Sequence, residues 1–412
     1  MKICIFTETY YPVVGGGETQ ARLLAEGLIT NGHSVIVLTR RSDAALRQHE
    51  NYDGVSVYRL APVGSGQLKK WGLLLSSLPA LVRLHGQYDL IFVSGYRIIG
   101  LTAVVVGKLF GKPVVLKADS QGEMSGEFFD SGLKKFRASR SSVPFRLFLG
   151  FRNAILKKAD AFSAISLEIA SEWTSNRVPL NKIHLIPNGV DTVLFVPANA
   201  EQKSFLREKL KLPQNATIAI FTGRLVSYKG LPLLLKVWKE IRCKHENVLL
   251  LLAGTGGLDI HNCETELREY VKSASLEGEV IFLGAVQNVP EYLQASDLFV
   301  FPTENDAFPS SIVEAMACAL PIVTTPVGAI KTIVTHRDTG LLVQPRNFKQ
   351  LFEALDVMLS DKVLASRLGL SAWQAVQNQY AAVNIIRQYL SLFQTTLNQH
   401  NRDDSWEQET SQ

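Results

Sequence analysis

The sequence predicts an α/β protein of two doubly wound, parallel-sheet domains. Short β-rich apolar runs alternate with helical stretches through most of the 412 residues, the pattern of parallel strands joined by crossover helices. The alternation runs twice, with the turn residues and charged helix of Pro187–Pro213 between the two series. In the second series, glycine- and charge-bearing turns directly follow apolar runs, at the strand-to-helix switches where open α/β sheets bind ligands.

In the first series the strands read as Lys2–Thr7, Ser34–Thr39, Val55–Leu60, Leu90–Ser94, Pro113–Lys117, Ala161–Ala164 and Ile183–Ile186. Helices fill the intervals, for example Glu18–Asn31 and Tyr96–Leu109, and Asn31-Gly32 supplies a stop for the first of them. The second series places strands at Thr217–Thr222, Val248–Ala253, Val280–Leu283, Leu298–Phe301, Pro321–Thr324 and Gly340–Val343. Its helices are Leu231–Lys244, Glu264–Ser275, Val289–Gln294 and Ser311–Ala319. From Phe348 onward the pattern is helical, and Ala372–Gln399 reads as one long helix or two. The expected division is 1–195, 196–375, a C-terminal helix 376–399 returning to the first domain, and a polar, disordered tail 400–412.

A hydrophobic content of 46% with 20% charged residues describes a soluble globular chain rather than a disordered one. Cys4, Cys243, Cys263 and Cys318 are scattered without paired spacing, so neither a zinc site nor a disulfide framework is expected. The start, Met1–Thr7, lacks the charged leader and cleavage site of a signal peptide. No uncharged run reaches the ~20 apolar residues that span a bilayer. A cytoplasmic setting follows, and the sequon Asn215-Ala216-Thr217 is then expected to stay unglycosylated.

The net charge of +5 is unevenly placed: Leu133–Lys158 has basic residues interleaved with Phe136, Phe145, Phe148 and Phe151 and contains no acid. Such a stretch suits an anionic membrane surface, which would make the protein peripheral on the inner face. It also suits an ordinary solvated helix with a buried stripe. No nucleic-acid-binding motif accompanies it, so nucleic acid is not an expected partner.

The chemistry concentrates at two turns. Gly223-Arg224-Leu225-Val226-Ser227-Tyr228-Lys229-Gly230 follows the strand ending near Phe221. Cations near a helix start oppose its dipole, a cost that an anionic ligand removes. An Arg and a Lys at one switch suit a diphosphate. Asp306-Ala307-Phe308-Pro309-Ser310-Ser311-Ile312-Val313-Glu314 follows the strand ending at Phe301. Here Ser311…Glu314 has the spacing of a capping box, which explains Glu314 as a helix starter. A carboxylate at that place also suits a sugar or ribose hydroxyl. Gly15-Gly16-Gly17 opens the first helix and lets backbone approach a ligand, or is simply a turn. Gly254, in Ala253-Gly254-Thr255-Gly256-Gly257, poses the same choice.

Taken in order, these pieces resemble the family-4 retaining glycosyltransferases of the GT-B fold, otherwise called glycosyl transferases group 1. The matching segments are Tyr10-Tyr11-Pro12 with Gly15–Gly17, Asn31-Gly32-His33-Ser34-Val35, Pro187-Asn188-Gly189-Val190-Asp191, Gly223-Arg224-Leu225 with Lys229-Gly230, and Glu314-Ala315-Met316-Ala317-Cys318. The resemblance implies two facing Rossmann-like domains with a cleft between them. The first is expected to bind an acceptor and the second a nucleotide-sugar donor. It also implies residue roles. Arg224 and Lys229 would grip the donor diphosphate, Glu314 the ribose hydroxyls, and Asp306 the donor sugar. Gly223, Gly254 and backbone amides near Phe308 and Ser310, Ser311 and Ile312 would line the donor, and Gly15–Gly17 would approach it from the first domain. No metal or other cofactor is implied, because the cations neutralise the leaving group.

Three departures stand out. Asp306-Ala307 replaces a usual Glu-Gly. Lys117-Ala118-Asp119-Ser120-Gln121-Gly122-Glu123 has no His where many members carry one, which leaves Asp119 and Glu123 as candidate acceptor or sugar contacts. Ala319 stands where the helix after Glu314 usually ends in Gly. The resulting expectation is a hexosyl-type transferase, retaining and metal-independent, acting on a saccharide or lipid-linked hydroxyl acceptor in polysaccharide or glycolipid synthesis. The alternatives are a nucleotide-sugar epimerase of the same architecture and a non-catalytic nucleotide-sugar-binding relative.

Overall fold

The computed structural model describes every residue except Val14, Ser65, Gly66, 131–138, Leu258 and 411–412. The chain forms two compact units: Met1–Asn188 with Ala382–Gln412, and Gly189–Ala381. The crossings therefore fall at 188/189 and 381/382, rather than at 195/196 and 375/376.

The first unit contains β1 (Lys2–Thr7), α1 (Gly16–Thr30), β2 (Ser34–Arg40), β3 (His49–Tyr52), β4 (Val55–Leu60), α2 (Gln67–Leu84), β5 (Leu90–Ser94) and α3 (Gly100–Leu109). β6 (Val114–Lys117), α4 (Val143–Leu156), β7 (Ala161–Ala164), α5 (Leu167–Ser175) and β8 (Ile183–Leu185) follow. The sheet order is β3-β4-β2-β1-β5-β6-β7-β8. Ile3 sits opposite Val35 on one side and Leu90 on the other, both in parallel register. The order reverses between β1 and β5, so the loops after β1, β5 and β6 open at a topological switch. β3, unforeseen from the sequence, is an antiparallel edge paired to β4. Its sequence HENY has the polar character of an exposed edge rather than a buried strand.

The second unit contains α6 (Ala200–Lys209), β9 (Thr217–Thr222), α7 (Leu231–Lys244), β10 (Val248–Ala253), α8 (Glu264–Ser273), β11 (Val280–Gly284) and α9 (Val289–Ala295). It continues with β12 (Leu298–Phe301), α10 (Ser310–Ala317), β13 (Ile322–Thr324), α11 (Ile330–Ile333), β14 (Leu341–Leu342), α12 (Phe348–Ser360) and α13 (Lys362–Gln379). Its parallel sheet runs β11-β10-β9-β12-β13-β14. β10, sequence VLLLLA, is buried at every position, as a parallel strand covered on both faces must be. On α7 the residues Leu231, Leu234, Leu235, Trp238 and Ile241 are buried, the i, i+3, i+4 stripe of a helix laid on a sheet.

Caps set several boundaries. Asn199 and Gln202 form a reciprocal capping box at the start of α6. That helix lies in the supposed linker but is docked, not free. Arg207 is buried and donates to the carbonyls of Ala295, Gln214 and Ala216, and to Asp297 at 2.6 Å.

The helical C-terminal region is two helices here, α13 and α14 (Ala382–Thr410), separated at Tyr380–Ala381. Ile385, Tyr389, Leu392 and Phe393 of α14 belong to the core of the first unit. Gly27 of α1 permits this approach, since a Cβ there would lie 2.1 Å from Ile386 Cδ1. The helix continues through positions whose composition suggested a disordered tail, because extending a nucleated helix is far easier than starting one.

Ala319 has φ 56°, a left-handed turn past the end of α10. Its amide bonds Met316 O and the next amide bonds Ala315 O, the paired bonds of a helix stop. Ala319→Gly should therefore stabilise the unit by about 1 kcal/mol, read as a small rise in melting temperature. A clear fall would contradict the assignment.

Candidate active site

The functional signals of the second unit gather on loops at the C-terminal ends of β9, β10, β12 and β13. After β9, Gly223 donates its amide to Ala253 O and Leu225 to Thr255 O, which ties this loop to the one after β10. Arg224 projects outward, with its side chain 61% exposed. It pairs with Asp259 and donates to Tyr228 Oη at 2.8 Å. Residues Ser227–Lys229 make a single 3₁₀ turn, and Gly230 (φ 74°) starts α7.

Lys229 is buried, and its Nζ sits 2.5 Å from Asp306 Oδ2. Nζ also lies 5.1 Å from the centre of the Phe301 ring. The structure thus joins two predicted site residues, 77 positions apart, in one ion pair.

Glycines hold these loops in close backbone contact. A Cβ on Gly230 would fall 2.0 Å from Pro302 O, one on Gly254 1.9 Å from Gly223 O, and one on Gly328 1.8 Å from Asp306 O. The hydroxyl of Thr303 adds bonds to Tyr228 O and Asn305 O. Backbone packing of this kind fixes Lys229, Asp306 and the start of α10 with respect to each other.

The capping box is not formed. α10 begins at Ser310, with Pro309 as the capping residue and no side-chain cap bond. Ser311 is consequently already inside the helix, and Glu314 lies beyond its first turn. Proline is suited to this entry, since it has no N–H to satisfy. The first-turn amides of Ser310 and Ser311 lack intrahelical acceptors, whereas Ile312 donates to Pro309 O. Phe308 is buried, with its ring 6.1 Å from that of Tyr380.

The Glu314 side chain is half-buried, and its carboxylate makes no hydrogen bond or ion pair among the described residues. Desolvation pushes its carboxyl up to about 7. The folded state therefore holds this proton more tightly than the unfolded chain. The stability it confers is present at low pH and is lost as pH rises from the ordinary glutamate range through about 7. Glu314→Gln should abolish that loss. Above pH 7.5 the variant should be more stable than the parent, by on the order of 1–3 kcal/mol. Paired melts between pH 5 and 8 check this; equal pH dependence in the two proteins would refute it.

In the first unit, Gly15 is extended at φ −170° and caps α1. A Cβ on Gly16 would meet nothing within 4 Å, whereas one on Gly17 would lie 3.3 Å from Asp119 Oδ2. Asp119 follows β6. Its Oδ1 accepts from Lys117 Nζ at 2.9 Å and Ser94 Oγ at 3.1 Å. Burial opposes its charge, but Lys117, Arg97 and Ser94 outweigh that and hold the carboxyl below the usual range.

Glu123 does not share this setting. It is buried, and its Oε1 accepts from Arg97 Nε, from the amides of Asp119 and Ser120, and from Ser120 Oγ. It braces the loop, so its proposed contact role is withdrawn. Burial pushes its carboxyl up.

Sequence reasoning did not single out Lys117, Asp259 or Tyr228. Charged residues just after a β-run, as in Leu116-Lys117-Ala118-Asp119, were the available signal.

The basic segment is only partly described, since 131–138 lies outside the described residues. Within the remainder, Arg152 is not a surface cation. It is fully buried and donates to Arg97 O, Glu123 O and Asn153 Oδ1. Among the described residues no helix is long and apolar enough to cross a membrane.

Comparison with known proteins agrees with this architecture. Residues 14–194 match the family described as Glycosyltransferase Family 4, and residues 202–373 match Glycosyl transferases group 1. An uncharacterized glycosyltransferase of Methanocaldococcus jannaschii is 25% identical over 96% of this chain and 99% of its own. A D-inositol 3-phosphate glycosyltransferase of Pseudarthrobacter chlorophenolicus is 27% identical over 88% and 86%. Two solved structures share the fold. Sucrose-phosphate synthase from Thermosynechococcus elongatus has a TM-score of 0.79 at 23% identity, covering 96% of this chain and 99% of that one. Anabaena HepE, solved with UDP-glucose, has a TM-score of 0.75 at 19% identity, covering 95% and 99%. The two family matches together span most of the sequence, and the chain belongs to the group 1 and family 4 glycosyltransferases of the GT-B fold.

Proposed function

We propose that this glycosyltransferase moves a sugar from a nucleotide-sugar donor to a hydroxyl acceptor with retention of anomeric configuration and without a metal. The observation that carries the donor reading is the loop cluster of the second unit. Two cations stand on the segment between β9 and α7, each held by an acid, and Glu314 follows as an unpartnered carboxylate. A diphosphate would take the place of Asp259 and Asp306 on Arg224 and Lys229. The amides of Ser310 and Ser311 would add donors at a helix start. Glu314, ionised on binding, would accept from the ribose hydroxyls.

In the reaction, the bond from the anomeric carbon to the phosphate oxygen breaks and its electrons leave with the diphosphate. The acceptor oxygen bonds to that carbon from the same face, and its proton passes to the departing phosphate. Arg224 and Lys229 stabilise charge that grows in this step, so their contribution is to the transition state. Gly223 and Gly254 allow the backbone to lie close to the ligand, and Asp306 faces the sugar hydroxyls once Lys229 turns to phosphate.

The test is proton NMR of product formed with and without excess EDTA. An unchanged anomeric configuration and an unchanged rate are expected. Inversion would overturn the stereochemical part, and loss of rate restored by added magnesium would overturn the metal-independent part.

We also propose peripheral contact with an anionic membrane as the setting for a polysaccharide or glycolipid acceptor. Val143, Leu147 and Phe151 are exposed on α4 at i, i+4 and i+8, with Arg146 and Lys158 beside them. Exposed Trp71, Leu75 and Leu78 lie on α2, whose Trp71 ring is 6.0 Å from Phe148 of α4. Apolar anchors with cations beside them suit a negatively charged interface. Flotation with phosphatidylglycerol vesicles should retain the protein and release Phe151→Glu; failure to float at low salt ends the proposal.

A further inference from the structure

We propose that Asp259 is a tethered competitor of the donor diphosphate for Arg224, and that Tyr228 is the positioning residue on which the guanidinium turns from one anion to the other. The inference deepens the donor reading above and rests on it. Arg224 is held at both terminal nitrogens. Nη1 pairs with Asp259, and Nη2 donates to Tyr228 Oη at 2.8 Å.

The fold fixes the acid and leaves the cation free to move. Asp259–Cys263 lies along the Arg224 loop. Ser227 donates its amide to His261 O and Cys263 to Leu225 O, and Val226 and Asn262 form an antiparallel bridge. Asp259 Oδ1 takes the amide of His261 at 3.0 Å, while Oδ2 takes Arg224. The carboxylate is thus anchored by its own turn, and its side chain is only 16% exposed. Arg224, long and exposed, is the partner that can swing away.

Chemistry decides which neighbour yields to a phosphate. A carboxylate is an acceptor only and carries like charge, so it must lose the guanidinium when a diphosphate takes it. A phenol is neutral and has an O–H as well as lone pairs. Tyr228 can therefore keep accepting from Nη2 while it donates its own proton to a phosphate oxygen. Burial pushes the phenol up, which keeps that proton in place. The ring is steadied edge-on by His261, 5.5 Å between centres, and Tyr228 O accepts from the Glu304 amide and Thr303 Oγ1. Asp259 thereby shields Arg224 in the empty site and weakens the hold on the spent nucleoside diphosphate.

Isothermal titration tests this with UDP, or its GDP or ADP counterpart if that base binds, beside the matching nucleoside without phosphates. Asp259→Asn keeps an oxygen for the His261 amide and gives up the charge. It should tighten the nucleoside diphosphate about fivefold, the upper end for releasing a surface ion pair, and leave the nucleoside unchanged. Asp259→Ser, which retains a hydroxyl acceptor for the same turn, should do likewise. Structural damage to this loop would weaken binding, so the sign of the change separates a competitor from a brace. Tyr228→Phe should act the opposite way and weaken the diphosphate about three- to tenfold, as one lost hydrogen bond does.

In an Arg224→Ala background the gain from Asp259→Asn should largely vanish. Equal or weaker diphosphate binding in both Asp259 variants, a gain shared by the bare nucleoside, or a gain undiminished by Arg224→Ala would each overturn the competitor. Unchanged or tighter binding in Tyr228→Phe would overturn the role of Tyr228. Failure of every nucleoside diphosphate to bind the parent and Asp259→Asn alike would instead strike the donor reading.

Discussion

Lys229→Ala should lower kcat by about 100- to 1000-fold, the usual consequence of removing one preorganised donor to a developing anion. The Lys229 and Asp306 side chains are only 10% and 15% exposed. Water therefore does little to screen the cation where the diphosphate would depart. The substitution has a second effect, because it leaves Asp306 without its cation. Breaking a buried ion pair from one side costs about 3–5 kcal/mol. The double variant Lys229→Ala with Asp306→Asn removes that uncompensated charge. It should regain most of the stability and none of the turnover. Steady-state rates at saturating donor, read beside thermal melts, separate the two effects. Near-normal kcat in folded Lys229→Ala would exclude Lys229 from the chemistry.

Gly254→Ala is expected to damage fold and site together. Gly254 has φ 139°, and a methyl would lie 1.9 Å from Gly223 O, a backbone atom that has no rotamer to yield. The disallowed backbone conformation and the overpacking together should cost about 3 kcal/mol or more. Gly223 precedes Arg224, so relaxation of the clash shifts the proposed diphosphate site, and on that proposal nucleotide affinity should drop even below the melting point. Gly257 supplies the control. Its φ is 52°, but a Cβ there would meet nothing within 4 Å. Gly257→Ala should cost only about 1 kcal/mol. Equal losses in the two variants would mean that the tight contact at Gly254 is unimportant.

Much of the fold was legible because parallel strands buried on both faces leave continuous apolar runs. Helix α7 was read at Leu231–Lys244, where it lies, since its start is marked by Gly230 and Pro232 and its stripe is regular. Short edges were harder. β14 comprises only Leu341–Leu342, and β3 is polar. The Ser311…Glu314 spacing misled because a local pattern does not reveal that Pro309 has already started the helix one residue earlier. What the pattern hid is the more useful fact, that Glu314 has no capping duty.

At the site, the residue types were readable but their pairings were not. Lys229 with Asp306, and Arg224 with Asp259, join loops that are distant in sequence. Glu123 and Asp119 looked equivalent on paper. Only packing separates a carboxylate bracing its own loop from one with an oxygen left open. Arg152 makes the same point, because a basic stretch does not disclose which of its cations is turned into the core.

The central claim is that the second unit binds a nucleoside diphosphate through Arg224, Lys229 and Glu314. A thermal-shift series with UDP, GDP and ADP tests it most directly, using the parent protein beside Arg224→Ala and Glu314→Gln. At ~100 times its dissociation constant, the matching nucleotide should stabilise the parent by roughly 2.7 kcal/mol. That shift should shrink sharply in both variants. No shift with any of the three in the folded parent, or a shift that survives both substitutions, would contradict the assignment.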